Sequence, residues 1–158
     1  MNLLPFQQPE VIRRVLAGKT VAIVGLSSNS LRASNFVGRY LLRHGYHIIP
    51  VNPLENRILG QKSYPSLCDI PGPVATVDVF RHPDAVPEIA GDAIAIGARN
   101  LWLQYGVIHE EGIRTAVSGG LNVVVDCCMK VEYARYFGRM HWLGFNTRRI
   151  TAKRHSTD

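Results

Sequence analysis

The chain has 158 residues, 46% hydrophobic and 19% charged, the balance of one ordinary globular domain able to bury its own core. The net charge of +6 is uneven: residues 1–134 carry a net +1 and residues 135–158 a net +5, so a nearly neutral domain ends in a basic tail. No apolar run approaches the roughly 20 residues that span a bilayer, and the start lacks the basic, apolar and small-residue segments of a signal peptide.

These features predict a cytoplasmic protein with no membrane partner. Cys68 stands alone and Cys127 adjoins Cys128, so no disulfide framework or metal-ligand spacing can be drawn; the six histidines are scattered, and no metal is expected. A solvated basic end is commoner than a nucleic-acid-binding one, which makes a nucleic-acid partner the weaker expectation.

In chain order, residues 9–17 read as a short helix packing Val11, Val15 and Leu16. TVAIVG (20–25) opens a series of buried-looking strands, followed by YHIIPV (46–51), VATVDVF (74–80), NLWLQ (100–104) and LNVVVD (121–126). Their apolar runs are largely continuous, as in strands covered on both faces. Helices separate most of them. Ser34 is placed as the cap of a helix to about residue 44, burying Phe36, Val37, Tyr40 and Leu41 and stopping at Gly45. Val86, Ile89, Ala90, Ala93, Ile94 and Gly97 mark a second helix by their spacing, and residues 109–118 a third. Between them the proline-bearing stretch 52–73 reads as a long surface connection with one helical turn at 66–70.

The alternation predicts an α/β fold: a single doubly wound, mainly parallel five-stranded sheet, Rossmann-like, of order 3-2-1-4-5. Residues 1–139 form the domain in this reading and 140–158 a basic C-terminal extension. Tyr136, Phe137, Met140, Trp142 and Phe145 either close the core or form a subunit contact, which leaves a homo-oligomer open.

Ligands of open α/β sheets sit beyond the carboxyl ends of the strands, where strand order reverses. The candidate positions are therefore the loop from Gly25 to Arg32, then Val51-Asn52-Pro53, Phe80-Arg81-His82, Gln104-Tyr105-Gly106 and Asp126-Cys127-Cys128. In the first loop the amides opening the next helix favour an anion. Ser27, Ser28, Asn29 and Ser30 add short donors, and Arg32 a forked cation suited to phosphate; the competing reading is a plain turn and cap. NAD would require G-x-G-x-x-G and an acid ending the second strand, whereas here only Gly25 is present and Asn52 holds the acidic position. Asp78 lies inside its strand and reads as structural, and Trp102 as core. Arg81 either faces the ligand or pairs with Asp84 or Asp78. Gln104 either faces the ligand or satisfies backbone.

The combination VAIVGLS-x-N-x-x-R-x-S, GY-x-IIPVNP, ILG-x-x-x-YPSL-x-DIP, VDVFR, AIAIGA-x-x-LWLQ-x-GV and VVVD-x-C resembles the small bacterial CoA-binding proteins, across roughly residues 10–135. These are stand-alone Rossmann-type domains related to the CoA-binding domain of the succinyl-CoA synthetase α subunit. The resemblance implies a phosphate loop at Gly25, Leu26, Ser27, Ser28, Asn29 and Arg32, with Ser34 at the helix start. It implies an adenosine contact at Val51, Asn52 and Pro53, a strand-end arginine at Arg81 beside Phe80, and a pantetheine path along Gln104, Tyr105 and Gly106. Cys128 is expected at the end of the last strand on the same edge, where it either meets the CoA thiol in a mixed disulfide or is a small buried apolar residue, the commoner state of a free cysteine. The family often has arginine where this chain has Cys127.

The implied ligand is coenzyme A or an acyl-CoA. The synthetase works through a phosphorylated histidine in a second domain without counterpart in these residues, and no GxSxG elbow is present. His82 and His109 read as surface polar groups. The expectation is non-catalytic binding through a Ser/Arg loop. The alternatives are an NAD-type oxidoreductase, a CoA transferase or ligase acting with a partner chain, and nucleic-acid interaction through the tail.

Overall fold

The computed structural model describes residues 1–138, so the tail reading and the boundary at residue 139 lie outside the described residues. Helix α1 (Pro9–Leu16) leads into strand β1 (Thr20–Val24), helix α2 (Ala33–Arg43) and strand β2 (His47–Val51). A two-residue hairpin follows, β3 (Arg57–Ile58) and β4 (Gln61–Lys62), then β5 (Thr76–Val79), α3 (Val86–Ala95), β6 (Asn100–Leu103), α4 (Glu110–Ser118), β7 (Asn122–Val125) and α5 (Met129–Phe137). The five long runs form one parallel sheet.

Side chains alternate across a strand, so a strand with apolar residues at every position must be covered twice. Val21, Ile23, Ile48, Trp102 and Val124 face one core with Ile12, Val15 and Leu16 of α1, Val37 and Leu41 of α2 and Met129 of α5. Ala22, Val24, Ile49, Val77, Val79, Leu101, Leu103, Val123 and Val125 face the other, closed by Val86, Ile89, Ala90 and Ala93 of α3 and Ile113 and Ala116 of α4. The result is the Rossmann-like, doubly wound α/β sandwich.

The strand order is β2-β1-β5-β6-β7, or 2-1-3-4-5 among sheet strands, and this corrects the expected 3-2-1-4-5. The stretch after β2 stays on that strand's outer edge: Tyr64 N–H donates to Pro50 O (3.0 Å) and Asn52 N–H to Tyr64 O (2.9 Å). With that edge occupied, β5 pairs instead along the free side of β1, Val21 opposite Thr76 and Val24 opposite Val79. Pro50, which has no N–H for an interior ladder, suits an edge strand. The reversal therefore falls between β1 and β5, and a crevice opens where their loops diverge.

Other local expectations also change. Arg32, not Ser34, is the N-cap residue of α2; Phe36 is 47% exposed, and Tyr40 is half-buried, its ring stacked on His44 at 4.0 Å. In α1 the buried position is Ile12, with Val11 only partly covered. The 52–73 connection has the expected turn, a 3-10 segment at Leu67–Asp69, and adds a hairpin whose Ile58 is buried.

Helices α3 and α4 meet at Gly112, where a Cβ would fall 2.6 Å from Val86 Cγ1 and 3.1 Å from Pro87 N. Overpacking there outweighs alanine's better helix propensity, so Gly112→Ala lowers stability by roughly 1 to 2 kcal/mol in urea unfolding. An unchanged midpoint would mean the helices separate freely.

Candidate functional site

At the end of β1 the chain turns through Gly25 at φ +86°, a conformation that L side chains avoid. A Cβ there would run into the Phe80 carbonyl and lie 3.1 Å from Arg81 Cδ. Glycine thus lets the loops after β1 and β5 touch, at the point where the strand order reverses.

The residues after Gly25 are wired to one another. Ser27 N–H donates to Ser34 Oγ (3.0 Å), Asn29 N–H to Ser27 Oγ (3.1 Å), Leu31 N–H to Asn29 Oδ1 (3.0 Å) and Asn35 Nδ2 to Ser27 O (2.8 Å). Ser34 therefore anchors the loop from inside α2. Because both hydroxyl oxygens accept from backbone, their own protons remain available as donors. The first amides of α2, at Ala33 and Ser34, have no intrahelical partner and line a cavity of about 340 Å³ with Gly25, Ser27, Arg32 and Phe80. Arg32 is exposed and makes no ion pair among the described residues. Oriented amides, hydroxyls and a free guanidinium suit an anion such as phosphate.

Ala33 and Phe80 also line a second cavity of about 400 Å³, so the two adjoin. Val37, Arg81, His82, Gln104, Tyr105, Val107 and Cys128 complete it, a largely apolar channel with polar walls. Arg81 additionally borders a smaller slot of about 130 Å³ with Val51, Pro53, Pro65 and Ser66. It pairs with neither Asp78 nor Asp84; Asp84 approaches His82 instead (3.4 Å). A cavity of about 380 Å³ at the opposite end of the sheet, beside Thr20 and His47, contains none of the expected site residues.

Gln104 is 3% exposed and its Nε2 donates to Asp78 Oδ1 at 2.6 Å, so its partner is a side chain, not backbone. Asp78 is fully buried and burial pushes its carboxyl up to about 7, against the lowering effect of the Gln104 bond. Burial likewise raises the Cys128 thiol above its ordinary range, and the Tyr105 phenol. Trp102 is core, its Nε1 donating to Cys127 O (2.8 Å).

Other expected residues brace the site. Leu26 is a core side chain whose carbonyl accepts from Asn52 Nδ2 (3.1 Å), and Asn52 Oδ1 accepts from Leu54 N–H (2.8 Å). Gly106 N–H is taken by Asp126 Oδ1 (2.8 Å). Ser28 and Asn29 sit exposed at the lip, and Val51 is buried apart from its edge on the slot. Sequence reading missed Glu55, whose Oε2 accepts from Ser28 N–H (3.4 Å) and Asn52 Nδ2 (3.5 Å) and ties the two loops together. It also missed Asn35; a polar residue on the inward face of α2 was its only signal.

Residues 19–134 match the family described as CoA binding domain. YneT of Bacillus subtilis is 37% identical over 125 residues, covering 79% of this chain and 90% of its own. Acetate–CoA ligase [ADP-forming] II of Archaeoglobus fulgidus is 29% identical over 107 residues, 66% of this chain but only 16% of the ligase. Among solved structures, a hypothetical protein from Pyrococcus horikoshii OT3 superposes with a TM-score of 0.81 at 38% identity, covering 85% of this chain and 96% of that one.

Proposed function

The chain belongs to the CoA-binding domain family, and from that membership we propose that it binds coenzyme A or an acyl-CoA without catalysing a reaction on it. The observation that carries the reading is the pair of adjoining cavities at the β1–β5 reversal, with a free arginine at Arg32 in one and a second at Arg81 in the other. The diphosphate lies against Ser27, Arg32 and the amides opening α2, the adenosine beside Val51, Asn52 and Pro53. The pantetheine arm follows Phe80, Gln104 and Tyr105 toward Cys128.

Two features support binding over chemistry. His82 Nδ1 accepts from Asp84 N–H (3.2 Å) and His109 Nδ1 from Gly112 N–H (3.0 Å), so both rings cap short segments. The Cys128 thiol is raised by burial, which keeps it protonated and a weak nucleophile at neutral pH. None of the described helices is long and apolar enough to cross a membrane.

Native mass spectrometry of the gently purified chain tests the ligand class. The protein should carry, or take up on addition, one coenzyme A or acyl-CoA per chain. An NAD adduct formed in preference to coenzyme A would reject the proposal.

A further inference from the structure

Gln104 stands at the mouth of β6 with its amide split between two environments. Its Nε2 donates inward to Asp78 Oδ1 at 2.6 Å, which leaves Oε1 as the amide's other end, and Gln104 is one of the residues lining the 400 Å³ cavity. Asp78 comes from the adjacent strand: it lies opposite Trp102, and the alternation of side chains puts Gln104, two residues on, on the same face of the sheet. A primary amide can be held in either sense, with nitrogen or oxygen outward. An ionised carboxylate can only accept, so above the pH at which Asp78 ionises it fixes the nitrogen inward, whereas the protonated group can pair with the amide in either sense.

We infer that Asp78 is a positioning residue that locks the Gln104 amide so that its carbonyl oxygen faces the channel and selects a ligand arm bearing an amide N–H. This rests on the coenzyme A reading above, whose pantetheine arm carries two secondary amides, and it assigns the donor end of one of them to Gln104 Oε1. It also accounts for a costly feature of the core. Asp78 is wholly buried and its Oδ2 has no partner among the described residues, an arrangement that an apolar residue of similar size would avoid. Valine is the natural strand alternative, since β-branched residues flank the position at Val77 and Val79. The carboxyl is kept for what it does to Gln104.

The experiment compares two probes by calorimetry at pH 8, where Asp78 is ionised: coenzyme A, and adenosine 3′,5′-bisphosphate, which has the nucleotide end but no arm. Asp78→Val and Gln104→Leu should each weaken coenzyme A by about three- to tenfold, the worth of one neutral hydrogen bond. Binding of the bisphosphate should not change. The double variant should be no worse than either single one, because Asp78 acts only through Gln104. Asp78→Asn keeps the shape but pairs with Gln104 in either sense. It should weaken coenzyme A by roughly twofold, the loss expected when half the population is turned the wrong way, and it serves if the valine variant does not fold. Equal losses for both probes, multiplied losses in the double variant, or unchanged coenzyme A affinity in the Asp78 variants would overturn the inference. A parent protein that binds neither probe would instead overturn the coenzyme A reading, and this inference with it.

Discussion

Arg32→Ala should lower coenzyme A affinity by about ten- to a hundredfold while leaving the unfolding midpoint of the protein unchanged. The side chain is exposed, makes no ion pair among the described residues and borders the cleft at the start of α2, so its removal disturbs no internal contact. A hydrogen bond to a charged group contributes about 1.5–3 kcal/mol, which sets the size of the loss. Arg32→Lys should recover only part of it, because an ammonium keeps the charge but not the forked geometry. The difference between parent and alanine variant should shrink as salt rises, since an exposed charge is screened. Titration calorimetry at two ionic strengths measures all three. Unchanged affinity in the alanine variant would move the phosphate contact elsewhere, with Arg81 the next candidate.

Asp78→Asn should stabilise the protein above neutral pH and flatten its pH dependence below it. In the folded chain burial raises this carboxyl from 3.8 to about 7. Between those values the folded state holds a proton that the unfolded state has released, so stability falls as pH rises across the window. Above about 7 both states are ionised and the full cost of the buried charge is present. The three-unit shift corresponds to about 4 kcal/mol, which the uncharged asparagine avoids. For a domain of this size that is on the order of 10 °C in midpoint. Thermal unfolding from pH 4 to pH 8 reads the effect: parent and variant should converge toward pH 4 and separate toward pH 8. Parallel curves would show that Asp78 ionises as an ordinary surface carboxyl does.

Much of the fold was legible because burial on both faces leaves continuous apolar runs, and runs such as VAIV and LWL admit few other readings. Strand order was less legible. It depends on which edge of β2 the 52–73 stretch occupies, a matter of Tyr64 pairing with Pro50 and Asn52 across a long connection. Pro50 did hold the clue, since a residue without N–H argues for an edge strand, whereas order 3-2-1-4-5 puts that strand inside. The polar strand ends located the site, but residue type did not reveal which groups face the cleft. Leu26 and Asn52 belong to its frame; Arg32 and Arg81 stand free at its rim. Ser34 looked like a cap and instead anchors Ser27 seven residues back. The Asp78–Gln104 contact needs the register of β5 against β6, which no local pattern in either strand encodes.

Whether the cleft between the β1 and β5 loops holds coenzyme A is decided by titrating the full chain with coenzyme A and with NAD in parallel in the calorimeter. Saturable binding of one coenzyme A per chain is expected, weakened by Arg32→Ala, with no comparable heat from NAD. Saturable binding of NAD with none for coenzyme A would contradict that expectation.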